Sequence, residues 1–168
     1  AGAVILSPAT DDSCILSTHT FADGSGVENL HGKAPGSKFY PNRINKEIIE
    51  QGHHFITQNG REVFKNAVTR MPEAVKLAME ENNLAIEDIK LVIAHQANAR
   101  ILEACATKMQ LPEEKMYMNI HKYGNTTAGT IPIAMCEAIQ EGRFQKGDII
   151  LLTAFGAGYT WASAAIRW

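Results

Sequence analysis

The sequence predicts an α/β layer structure, a mixed sheet flanked by helices. Three observations carry this. Strand-like and helix-like patterns alternate along most of the chain. The strand segments, such as Leu91-Val92-Ile93-Ala94, are unbroken apolar runs, as expected where helices cover both faces of a sheet. The last two strand segments are joined by a short glycine-containing turn that permits antiparallel pairing.

In order along the chain, Gly2–Leu6 and Cys14–Thr18 read as strands joined by the turn formers Ser7-Pro8-Ala9-Thr10-Asp11-Asp12. Residues 21–58 hold five glycines and two prolines and read as a long irregular segment, either a binding lid or a solvated insertion. Val63, Phe64, Ala67, Val68, Met71, Val75, Ala78 and Met79 then recur at helical spacing, with Asn59 as N-cap and Asn82-Asn83 as stop. Pro72 predicts a kink or break near Arg70. After the strand at 91–94, a helix is expected over 98–110, a weak strand at Met116–Met118, a loop at Tyr123–Thr130 and a helix over Ile131–Glu141. Ile149–Ala154 and Trp161–Trp168 close the pattern.

Composition narrows the function classes. Of 168 residues, 45% are hydrophobic and 20% charged, which argues for a packed core and against disorder. Sixteen Lys and Arg against eighteen Asp and Glu give a net charge of −2, so overall charge does not suggest a nucleic-acid binder. No apolar run reaches a membrane span, and the start shows no pattern of a signal peptide. Cys14, Cys105 and Cys136 are widely spaced and form no CxxC pair, so neither a zinc site nor a disulfide framework is expected, and a reducing, cytoplasmic setting is the simplest reading. The chain opens in an apolar segment rather than on Met.

Ligands of open α/β sheets gather at the C-terminal ends of strands. Three features can converge there: His95-Gln96-Ala97-Asn98 after a strand, Gly124-Asn125-Thr126-Thr127 before a helix, and Gly156-Ala157-Gly158. An imidazole, a carboxamide and a backbone N–H make a set of donors suited to an oxyanion or enolate. Each feature also has a purely structural reading: His95 as a hydrogen-bonder, Asn125 as a helix start or left-handed turn, the glycines as turn formers. The glycine segment is no dinucleotide fingerprint, since Trp161 stands in place of the third glycine, and no Walker A pattern occurs. Adjacent His53 and His54 cannot face one way on a regular element, so no metal site is expected there. The three cysteines read as small hydrophobes within regular elements, and no nucleophile is found.

These segments, together with Phe155-Gly156-Ala157-Gly158-Tyr159-Thr160-Trp161, Ala165-Ile166-Arg167-Trp168 and Asn59-Gly60-Arg61-Glu62-Val63-Phe64, resemble the C-terminal half of the 3-oxoacyl-(acyl carrier protein) synthase III family. That family has a thiolase-like fold and begins type II fatty-acid synthesis. The resemblance implies a decarboxylative Claisen condensation of an acyl-CoA primer with malonyl-acyl carrier protein. It implies that His95 and Asn125 donate to the malonyl thioester oxygen, and that the N–H of Ala157 serves the acyl oxyanion. Arg100, Asn98, Gln96 and Lys108 correspond to coenzyme A or carrier-protein contacts, and Phe64 and Phe155 to an acyl pocket. No cofactor is implied beyond the coenzyme A and phosphopantetheine thioesters that are its substrates.

The family's nucleophilic cysteine lies in its other half. The resemblance therefore divides the chain into residues 1–12, the last strand of an N-terminal half plus linker, and 13–168, a C-terminal thiolase-like domain with an insertion at about 21–58. The implied partners are that N-terminal half, on a separate or cleaved chain, the acyl carrier protein, and a second copy in a homodimer, with neither nucleic acid nor membrane. A related acyltransferase with another primer or acceptor, and a non-catalytic binding module on a condensing-enzyme half-fold, are the alternatives.

Overall fold

The computed structural model describes residues 1–168, the side chain of Lys38 excepted. Strand β1 (Cys14–Ala22) is followed by the short strand β2 (Leu30–Gly32), helix α1 (Lys46–Glu50), strand β3 (Ile56–Gln58) and the long helix α2 (Gly60–Glu81). Strand β4 (Ile89–Ala94), helix α3 (Ala99–Lys108), the single turn α4 (Ile120–Tyr123), helix α5 (Thr130–Gln140) and strands β5 (Ile149–Gly156) and β6 (Thr160–Arg167) complete the chain. No helix among the described residues is long and apolar enough to cross a membrane.

The main sheet runs β1-β6-β5-β4, and a separate two-stranded piece pairs β2 with β3. β4 and β5 are parallel, while β6 is antiparallel to both β5 and β1. The sheet is therefore mixed, and the C-terminal ends of β1, β4 and β5 share one edge. Helices α2, α3 and α5 begin at that edge, because each returns antiparallel to the strands.

Alternation sorts the core into two layers. On one face Val92, Ile149, Leu151, Phe155 and Ala165 pack with Val63, Ala67, Met71 and Val75 of α2 and with Leu102 and Cys105 of α3. On the other, Leu91, Ile93 and Ile150 pack with Ala134, Met135 and Ala138 of α5. β4 and β5 are thus buried twice, which is why they read as unbroken apolar runs. Cover thins toward β1, where Ile15 is half-exposed. Truncating the fully buried Leu102 to Ala would cost about 2–5 kcal/mol.

Several expectations need correction. Gly2–Leu6 forms no strand: the segment finds no ladder partner in the main sheet, and Val4, Ile5 and Leu6 are exposed. α2 is not broken at Pro72. The ring is buried, and packing of the helix on β5 and β6 holds the helix through the lost backbone bond. Residues 21–58 are not structureless, since they carry β2, α1 and β3, and Asn45 caps α1 through the Ile48 N–H at 2.9 Å. Met116 contributes a single parallel bridge to Val92 rather than a strand.

Candidate active site

His95 follows directly on β4. Its backbone N–H extends the ladder to the Thr153 carbonyl at 2.8 Å, so the ring is projected from the sheet's C-terminal edge. The imidazole is half-buried, and burial lowers its pKa from the ordinary histidine value, so it is neutral near pH 7. Nδ1 lies 2.6 Å from Thr130 Oγ1, on the first turn of α5.

Asn125 stands between α4 and α5. Gly124, at φ 66°, reverses the chain after α4, and Thr127, at φ 53°, is the left-handed residue that follows. The Thr127 N–H donates to Asn125 Oδ1 at 2.9 Å. With its oxygen engaged, Asn125 presents its NH₂ as the free end of the carboxamide. Asn125 itself is not in the left-handed region, so the turn chemistry falls on its neighbours.

His95 and Asn125 line one cavity of about 910 Å³, together with Asn98, Phe64, Phe155, Gly156 and Ala157. The Ala157 backbone is not left-handed, so its methyl group is accommodated without strain. Asn98 lines the cavity and also caps α3, its Oδ1 accepting the Arg100 N–H at 2.9 Å. Phe155 is buried against Tyr159, with ring centroids 4.9 Å apart, and Phe64 is partly exposed.

The remaining expected site residues lie elsewhere. Gln96 is buried and satisfied within the fold: its Nε2 donates to the Ala94 and Tyr117 carbonyls at 2.9 and 3.1 Å, and its Oε1 accepts the Asn119 N–H at 3.0 Å. It cannot reach a ligand. Lys108 sits in the last turn of α3, roughly 12 Å along the axis from Arg100, and lines a second groove with Met79, Leu84 and Met109. Arg100 is exposed on the first turn of α3 and does not line the cavity. None of the three cysteines lines the cavity. Cys105 is buried and its thiol is pushed up to about 12 by burial, whereas Cys14 and Cys136 are exposed, so the reading of the cysteines as small hydrophobes fits Cys105 and not the other two.

Two features of the site carried no sequence signal. The inner cavity wall includes Phe21 of β1 stacked on Trp161 of β6 at 5.4 Å, with the Arg70 guanidinium 4.9 Å from the indole centroid. A polar cluster also underpins the Asn125 loop: Glu137 of α5 accepts from Lys122 and Asn119 at 2.8 Å and from the Tyr123 hydroxyl at 3.1 Å. Through Asn119 and Gln96 this cluster connects the loop to the peptide that follows His95.

The model of the family 3-Oxoacyl-[acyl-carrier-protein (ACP)] synthase III C terminal matches residues 79–168, more than half of the chain, including both His95 and Asn125. The chain belongs to the 3-oxoacyl-[acyl-carrier-protein] synthase III family. Among synthase III relatives, beta-ketoacyl-[acyl-carrier-protein] synthase III of Roseiflexus sp. (strain RS-1) is 43% identical over 168 residues, covering 100% of this chain and 50% of the relative. The crystal structure of the synthase III of Aquifex aeolicus VF5 superposes with a TM-score of 0.83 at 41% identity, covering 96% of this chain and 47% of that one. That of Thermus thermophilus gives 0.82 at 38% identity, over 96% and 48%. The chain thus spans about half the length of the synthase III relatives it matches, and its fold is one half of the thiolase-like fold.

Proposed function

We propose that this chain is the C-terminal part of a condensing enzyme that joins an acyl-CoA primer to malonyl-acyl carrier protein. The observation that carries this reading is the convergence of His95, Asn125 and Ala157 on one cavity, with the Asn125 carboxamide oxygen already engaged. In the proposed reaction the bond between the malonyl methylene and its carboxylate breaks, and CO₂ leaves. The electron pair forms an enolate whose oxygen accepts from His95 and Asn125. A cysteine first takes the primer's acyl group from coenzyme A, whose thiol leaves; the enolate carbon then attacks the carbonyl of that cysteine thioester, a carbon–carbon bond forms, and the cysteine thiolate departs. The Ala157 N–H serves the oxyanion of that second step. Donors fixed in place before charge develops stabilise it most, because nothing has to reorganise during the reaction.

The attacking cysteine belongs, in this reading, to the half of the fold outside the 168 residues. Arg100, exposed on the first turn of α3, faces the acidic carrier protein, and Asn98 and Phe64 flank the phosphopantetheine arm. The assembled synthase is a homodimer of such complete units. Purification from the native host tests the reading. The segment completing the relatives' length is expected to accompany this chain, covalently or as a second polypeptide of similar size, and the assembly is expected to release CO₂ from malonyl-carrier protein. Full condensing activity in the assembly bearing His95→Ala would sink the reading.

A further inference from the structure

We infer that Thr130 is a positioning residue that sets the tautomer of His95: its hydroxyl donates to Nδ1, and Nε2 therefore carries the ring proton into the cavity. The inference deepens the donor reading above and rests on it for its functional consequence.

Thr130 is 3% exposed and lies 2.6 Å from His95 Nδ1. Among the described residues, its hydroxyl has no other hydrogen-bond partner. Two arrangements fit that short contact. If Nδ1 were protonated and donated to Oγ1, the hydroxyl proton would be buried with no acceptor. A buried orphan donor is costly, whereas a hydroxyl that donates to a bare Nδ1 leaves nothing unsatisfied. The bare Nδ1 puts the single proton of the neutral ring on Nε2.

The position of Thr130 reinforces the assignment. It opens α5, an 11-residue helix, and the positive end of a helix disfavours an imidazolium against it. Burial disfavours the cation as well. The ring is thus held neutral, with a donor rather than a lone pair directed at the substrate. A general-base role for Nε2 needs the opposite tautomer, so this contact selects enolate stabilisation over proton abstraction. Asn125 is set by the same logic, with Thr127 engaging its acceptor atom as Thr130 engages that of His95. Two threonines three residues apart on one turn orient both donors.

The test uses the complete synthase with ¹⁵N-labelled histidine. In the parent protein, the His95 spectrum is expected to show a pyridine-like Nδ1 and a pyrrole-like Nε2. The reverse pattern, or a charged ring at neutral pH, overturns the inference. Thr130→Val removes the hydroxyl at nearly constant volume. It is expected to shift the Nδ1 resonance and to slow malonyl decarboxylation about three- to tenfold, the order of one hydrogen bond, while Thr130→Ser keeps both near the parent. A Thr130→Val protein that matches the parent in spectrum and rate also overturns the inference, and if that variant fails to fold the parent spectrum and the Ser variant decide. The spectrum reports the tautomer without reference to turnover, so it stands apart from loss of the donor reading, which the His95→Ala rate decides.

Discussion

Thr127 donates its backbone N–H to Asn125 Oδ1 at 2.9 Å, and it does so from left-handed backbone at φ 53°. A β-branched residue in that region costs about 1–2 kcal/mol, and Thr127 adopts it in the exposed turn that leads into α5. Thr127→Gly adopts the same backbone freely and keeps the N–H, so it is expected to leave decarboxylation near the parent rate and to change stability by no more than about 1 kcal/mol. Thr127→Pro fixes φ near −65° and removes the donor. It is expected to slow decarboxylation toward the level of Asn125→Ala. Equal rates for the Pro variant and the parent would show that the carboxamide is oriented by something else.

The two proposed enolate donors predict a split between half-reactions. His95→Ala or Asn125→Ala should lower malonyl decarboxylation by roughly 10²–10³, the usual cost of one oxyanion donor. Acylation by the primer should stay within a few-fold, because its oxyanion is served by the Ala157 N–H instead. Radiolabelled acyl transfer from acyl-CoA and CO₂ release, measured on the same preparations, separate the two. Parallel loss of both half-reactions would contradict the assignment.

The frame of this site was legible because it rests on local chemistry. Asn59 caps α2 through the Glu62 N–H, Asn98 caps α3, and the apolar run at β4 ends at His95, all features of short-range pattern. Long-range relationships were not legible. Gln96 sits within a polar motif yet is buried, because its partners, the Tyr117 carbonyl and the Asn119 N–H, come from more than twenty residues away. Pro72 reads as a breaker, but packing of α2 on the sheet outweighs one lost backbone bond. Gly2–Leu6 has strand composition, and pairing requires an edge that the pattern alone cannot supply. Cys136 has apolar sequence neighbours, and only the placement of α5 turns its side chain outward.

Glu137 predicts an acid limb of stability. Its carboxylate is pulled down to about 2, first by the Lys122 ammonium and then by the Asn119 and Tyr123 donors. The folded value lies below the ordinary 4.5, so the stabilisation is present above pH 4.5 and is lost as pH falls toward 2. Glu137→Gln cannot pair with Lys122 as an anion. Its melting temperature should lie below the parent's at pH 7, and the gap should narrow as pH falls from 4.5 to 2. Because the same carboxylate anchors the α4 turn ahead of Asn125, decarboxylation should fall more than primer acylation. A gap in melting temperature that stays constant across this pH range would mean that Glu137 contributes through packing alone.

The thiols offer a direct check on where the nucleophile is not. Cys105 is fully buried, and its thiol is raised from the ordinary 9.0 to about 12 by burial. That difference leaves roughly a thousandfold less thiolate than a free cysteine at the same pH, before access is considered. Cys14 and Cys136 are exposed but lie outside the cavity. Under native conditions an alkylating reagent is expected to modify Cys14 and Cys136 and to spare Cys105 until the chain unfolds. Acyl-CoA is expected to acylate none of the three, since no thiol lies where Ala157 can receive the oxyanion. Mass-mapped acylation of any of these three cysteines by acyl-CoA would place the attacking sulfur within this chain and overturn the division of labour between the two halves.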